Sequence, residues 1–181
     1  MGAPPEVTGM DSAAPRLAFV CVQNAGRSQM AAAFARRAAD RREAAGCASG
    51  RTDQREGRHA SRGGATREAD ARGLDVEVLT GGTDPADAVH PEVVEAMAEV
   101  GIDLSDRQPR EVDTAELETC RIVATMGCST MELDADVDVR DWALPDPNGE
   151  DTERVREIRD EVESRVERVF NDLEREMGVE G

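Results

Sequence analysis

The sequence contains no lysine and no tyrosine, and aromatic side chains make up only 2% of it. All 22 basic residues are therefore arginines, set against 39 aspartates and glutamates for a formal net charge of −17. So acidic a chain repels phosphate backbones and anionic lipid, which argues against nucleic acid or membrane as a partner. No stretch approaches the ~18 apolar residues of a membrane span. The opening MGAPPEVTGMDSAAP lacks the basic-then-apolar pattern of a secretory signal. The four cysteines, Cys21, Cys47, Cys120 and Cys128, form no CxxC pair and no ligand spacing with the two histidines, so no metal site is expected. A cytoplasmic setting, which this sequence suits, leaves them as thiols rather than structural bridges.

Apolar residues are scarce but not scattered. They gather into periodic segments, which separates this chain from a disordered one of similar charge. The missing lysine and the carboxylate excess fit a very salty cytoplasm, where a Debye length of about 3 Å at 1 M salt lets like charges crowd a surface. Length allows one domain, over residues 16–181, behind a loose proline-bearing tail at 1–15. Between Ala35 and Gly73 there is no Val, Ile, Leu, Met, Phe or Trp at all. The first of these residues finish a helix, and about 43–72 reads as a disordered insertion.

What is there alternates between strand and helix patterns. Arg16–Val22 is a short apolar run without helical period, suited to a strand buried on both faces. Ser28–Arg37 is a strong helix former. Leu74–Leu79 alternates and stops at a Gly81-Gly82 turn. Pro91 opens a helix over Glu92–Val100, and Asp113 or Thr114 caps a short one to about Glu118. Cys120–Met126 and Val137–Trp142 read as two more strands. A last helix, about Asp151–Met177, lines up Val155, Ile158, Val162, Val166, Val169 and Leu173 on one stripe that docks on the sheet. The order implies a three-layer α/β sandwich around a four-stranded parallel sheet. In such a sheet ligands bind beyond the carboxyl ends of the strands. Cys21, Cys128 and the Trp142–Gly149 segment all leave strand ends in that sense and should converge, whereas Cys120 lies at the opposite end.

The richest segment is Phe19–Ser28, FVCVQNAGRS. Between a strand and a helix N-terminus, the amides of Val22, Gln23, Asn24, Ala25, Gly26, Arg27 and Ser28 can converge on a tetrahedral oxyanion. The Arg27 guanidinium can clamp two of its oxygens, and the same positive potential favours a Cys21 thiolate below it. Ser28 can donate to that sulfur. Gly26 permits close approach, and Asn24 tolerates the left-handed conformation that curls the loop. Breaking a bond to a departing oxygen also needs a proton donor. Asp146, stiffened between Pro145 and Pro147, suits that task better than Asp134, Asp136, Asp138 or Asp141, which read as a solvated face. His90, ahead of Pro91, reads as a capping or surface residue rather than an anion ligand.

VCVQNAGRSQMAAAF resembles the active-site loop of the low-molecular-weight protein tyrosine phosphatase family, which includes arsenate reductases. TGGT at Thr80–Thr83, VHPEVVEAMAEVGIDLS at Val89–Ser105, VATMGC at Val123–Cys128 and DWALPDPNG at Asp141–Gly149 extend the resemblance over about residues 16–177. It implies Cys21 as nucleophile, Arg27 as anion clamp and Asp146 as general acid, on a phosphatase-like fold. Gln29 and Met30 after the loop, Asn148-Gly149 after the acid and Trp142 four residues before it resemble the reductase branch. Cys128 stands where that branch keeps a resolving cysteine, which would attack the Cys21 adduct and leave a disulfide. Two departures stand out. No cysteine lies in Met131–Asp138, where the thioredoxin-linked subgroup has another, and Ala32 replaces a glutamate that supports a potassium site in some reductases. The expected activity is thiol-dependent reduction of arsenate, with no bound cofactor. The substrate is a small oxyanion and the reductant an external thiol, thioredoxin-like or of low molecular weight. The alternatives are phosphomonoester hydrolysis through a cysteinyl-phosphate and, from another class, oxyanion binding or redox sensing without turnover.

Overall fold

The computed structural model describes residues 14–49, 75–127, 133 and 136–178. Four strands, β1 (Arg16–Cys21), β2 (Glu77–Gly82), β3 (Ile122–Met126) and β4 (Asp138–Asp141), form one sheet in the order β2-β1-β3-β4, with every neighbouring pair parallel. The helices are α1 (Arg27–Ser49), α2 (Pro91–Ala98), α3 (Thr114–Leu117) and α4 (Thr152–Glu176). None among the described residues is long and apolar enough to cross a membrane.

The central strand explains its own composition. Leu17, Phe19 and Cys21 face one way, into a core shared with α1, α2 and α4. Ala18 and Val20 face the other way, onto Val112, Leu117, Cys120 and Val123 beneath α3. With both faces covered, alternation disappears from the sequence although it persists in the structure. The three layers expected from the element order are thus present. The α4 stripe is buried along its length, each of its six expected members at most 2% exposed, and Phe170 joins it. Burying one such side chain fully is worth roughly 1.5–3 kcal/mol, so docking dominates over the intrahelical ion pairs of the outer face.

Two boundaries differ from the sequence reading. Helix α1 continues to Ser49, several residues into the stretch expected to be disordered from about 43, because Ala, Arg and Glu are strong helix formers even without an apolar face. The remainder of that stretch, like the tail through residue 13, lies outside the described residues. Strand β2 starts at Glu77 and keeps Gly81 and Gly82 inside it rather than in a turn. Its register runs from Arg16 opposite Glu77 to Cys21 opposite Gly82. A Cβ on Gly81 would lie 2.3 Å from Val112 Cβ, and one on Gly82 would lie 2.5 Å from the Val22 carbonyl oxygen. The glycines let neighbouring chain press against the strand. Cys21 is also level with Met126 of β3, so three strands finish together beneath the loop that follows.

Candidate active site

Cys21 is the last residue of β1 and Arg27 the first of α1, so residues 22–26 must turn the chain sharply. The turn is made at Asn24, at φ 50°, the one non-glycine with positive φ among the described residues. Fully buried, its side chain is saturated. Nδ2 donates to Ser28 Oγ and Thr80 Oγ1, both at 2.8 Å, while Oδ1 accepts from Gln29 Nε2 at 3.1 Å and the Arg110 amide at 3.0 Å. A left-handed residue costs on the order of 1–2 kcal/mol, and four bonds at about 1 kcal/mol each offset it.

The loop carbonyls are drawn outward. Amides of Thr83, Asp84, Ala86 and His90 bind the oxygens of Cys21, Val22, Gln23 and Ala25 at 2.9–3.3 Å, and Met30 binds that of Gly26 at 3.0 Å. These bonds keep the loop's carbonyls occupied elsewhere, and a tight turn of amides at the head of a helix is suited to cradle an anion. At the floor of this loop Cys21 is buried, with Sγ 2.9 Å from Ser28 Oγ. Asn24 Nδ2 can only donate to Ser28 Oγ, which leaves the hydroxyl proton available to the sulfur.

Arg27 is 7% exposed and divides its fork, Nη1 to the Leu144 carbonyl at 2.9 Å and Nη2 to Asp146 Oδ2 at 2.8 Å. Asp146 is exposed, and its Oδ1 accepts the Asn148 amide at 3.0 Å. The convergence expected of the Trp142–Gly149 segment is therefore present. A small cleft is lined by Cys21, Gln23, Gly26, Arg27, His90 and Asp146. No phenyl or indole ring lines it. Trp142 instead sits in the core, its ring 5.8 Å from Phe19.

Gly127, immediately after β3, has φ 73°, and a Cβ there would lie 2.9 Å from Arg27 Nη1. The guanidinium thus rests against the backbone at the residue preceding Cys128, which itself lies outside the described residues, as does Asp134. Cys120 is at the other end of β3, where burial pushes its thiol up. Cys47 falls near the end of α1, with its side chain outside the description. Asp138 pairs with Arg140, and Asp141 accepts from Thr125, so neither reaches the cleft.

His90 stands where the sequence reading puts it but not with the bond expected there. It occupies the N-cap position of α2 but makes no side-chain cap bond. Its Nε2 instead meets Gln23 Oε1 at 3.1 Å on the wall of the cleft. Glu92, unremarked in the sequence, accepts the Gly149 amide at 2.9 Å and so ties α2 to the turn carrying Asp146. Burial pushes its carboxyl up, but the Gly149 amide, its own amide and nearby His90 outweigh that and hold it below the usual carboxylate range. Thr80 and Arg110 also support the loop through Asn24. Their signals in the sequence were the TGGT run and nothing at all, respectively, since Arg110 acts through its backbone. Among the described residues no group of three or more His, Cys, Asp or Glu is placed to hold a metal.

The family model described as low molecular weight phosphotyrosine protein phosphatase matches residues 63–179. The chain belongs to this family. The match begins beyond the Cys21 loop, so the cradle is an observation on this chain's own residues. A protein of Halobacterium salinarum named "Putative arsenate reductase" is 54% identical over 159 residues, 87% of this chain and 92% of that one. "Arsenate reductase 2" of Staphylococcus haemolyticus is 32% identical over 96 residues, 50% of this chain and 72% of that one. Among solved structures, a thioredoxin-dependent arsenate reductase of Corynebacterium glutamicum superposes with a TM-score of 0.62 at 27% identity. The superposition covers 90% of this chain and 63% of that one.

Proposed function

We propose that this protein is a thiol-dependent arsenate reductase of the cytoplasm. The observation that carries the reading is the cleft itself. A buried thiol, a guanidinium fork and a carboxyl group line one small cleft with no phenyl or indole wall to receive an aryl ester. A small tetrahedral oxyanion suits it. The 54% identity to the Halobacterium protein supports the same choice.

Cys21 thiolate attacks the As(V) centre and forms an S–As bond. Asp146 passes a proton to one arsenic-bound oxygen, which leaves as water, while Arg27 and the loop amides hold the others. Cys128 thiolate then attacks Cys21 Sγ. The S–S bond forms, the S–As bond breaks, and its electron pair stays on arsenic, giving arsenite. The two thiols supply both electrons. Support for Cys128 comes from its chain neighbour Gly127, which lies against Arg27. With no further cysteine in Met131–Asp138, the external thiol, thioredoxin-like or of low molecular weight, reduces the Cys21–Cys128 disulfide directly.

The family match also favours a second reading, phosphomonoester hydrolysis through a Cys21 phosphoenzyme. Mass spectrometry after arsenate treatment separates the two. The expected result is a Cys21–Cys128 disulfide in the wild type, none in Cys128→Ser, and aryl phosphate cleavage retained in that variant. Fast aryl phosphate turnover with no disulfide and no arsenite in the presence of thiols would hand the assignment to the phosphatase.

A further inference from the structure

In the described structure the Asp146 turn has two polar ties from its own residues to other elements, the Arg27–Asp146 pair at 2.8 Å and the Gly149–Glu92 bond at 2.9 Å, and the same Arg27 fork holds the Leu144 carbonyl just before the turn at 2.9 Å. The Asn148 amide on Asp146 and the Glu150 amide on the Pro147 carbonyl are internal to the turn. Pro147 adds a contact, buried against Gly26, where an added Cβ would lie 2.7 Å from its Cγ.

The first tie cannot last through the reaction. An oxyanion above Cys21 competes for the Arg27 fork, and bidentate binding of two of its oxygens takes the Nη2 that now holds Asp146. Asp146 must also carry a proton in order to give one up, and a neutral carboxyl no longer pairs with a guanidinium. At the moment the acid is needed, its own side-chain anchor is released. The Glu92 bond involves neither substrate nor the transferred proton. Glu92 sits in the first turn of α2, two residues after His90, whose amide binds the Ala25 carbonyl of the cradle. The turn is thereby referenced to the loop that holds the anion, and Glu92 is kept in its charged, accepting form by the amides around it.

We infer that Glu92 is the positioning residue for Asp146, holding the acid-bearing turn over Cys21 once substrate has taken the Arg27 fork; this rests on the reading of Asp146 as the general acid.

A double-mutant cycle tests it, with kcat and KM for arsenate reduction and competitive inhibition by inorganic phosphate as readouts. Glu92→Ala is expected to lower kcat about tenfold while leaving the phosphate inhibition constant within about twofold. Glu92→Gln keeps an acceptor oxygen and should recover most of the loss. On an Asp146→Asn background Glu92→Ala should cost nothing further. The proposal is overturned if kcat is unchanged, if phosphate binding weakens in step with kcat, or if the loss persists in full without the Asp146 carboxyl. Should the wild type cleave aryl phosphate and leave arsenate untouched, the reading of the substrate fails, and the same cycle run on the ester still judges Glu92.

Discussion

Asn24 holds a conformation that side chains avoid and is satisfied at every polar atom while doing so. Its grip on Ser28 is what aims the hydroxyl at Cys21. Ser28→Ala should therefore slow both arsenate turnover and alkylation of Cys21 by iodoacetamide at neutral pH, by about tenfold or more, the usual worth of a hydrogen bond to a charged atom. Alkylation kinetics followed by peptide mass spectrometry would measure it, and an unchanged rate would remove Ser28 from the mechanism. Cys21, Arg27 and Ser28 were legible because strand, loop and helix start lie within a dozen consecutive residues. The place of Asp146 at the cleft was legible from its flanking prolines and from the proton donor that the proposed reaction requires. His90 and Glu92 were not. Their partners stand 67 and 57 positions away, and no local pattern records such a bond.

Elements were easier to find than their limits. The burial of β1 on both faces and the stripe of α4 are written directly in residue order. The run of glycines at the end of β2 was misread as a turn because its cause, Val112 and the Val22 carbonyl pressing on the strand, comes from elsewhere in the chain. Between elements the arginines act as ties. Arg37 and Arg42 of α1 reach Glu163, Glu167 and Glu174 of α4, and Arg156 and Arg159 of α4 meet at Glu99, the C-cap of α2. The bond from Arg156, with help from Arg159, holds the Glu99 carboxyl down at about 2. A carboxylate lowered on folding contributes stability that is whole above its unfolded value near 4.5 and disappears as pH falls through about 2. Glu99→Gln should accordingly be less stable than wild type at pH 6, with the gap closing toward pH 2. Denaturant melts at a series of pH values would show it, and a gap independent of pH would contradict it.

Across the whole molecule, the net charge of −17 and the contact ion pairs respond to salt in opposite senses. The pairs meet at 2.5–3.1 Å, whereas carboxylate repulsion acts over longer distances. Raising salt from 0.1 M to 1 M shortens the Debye length from about 10 Å to about 3 Å, which removes the long-range repulsion before it reaches the pairs. The melting temperature should therefore climb steadily with KCl over that interval. A flat or falling curve would mean that the pairs, not the repulsion, govern stability.

The carbonyls pulled out of the Cys21 loop have a further consequence. A cradle made of amides and one guanidinium reads charge and tetrahedral shape, and phosphate offers both as well as arsenate does. The loop is set in this form by bonds to Thr83, Asp84, Ala86 and His90, so neither anion has to remodel it. If the loop binds oxyanions as proposed, its occupancy follows abundance, and phosphate is the competitor to expect. On the proposed reading, selection falls to the step after binding, where a second thiol withdraws its partner sulfur and only a central atom able to keep the electron pair is released in a new oxidation state.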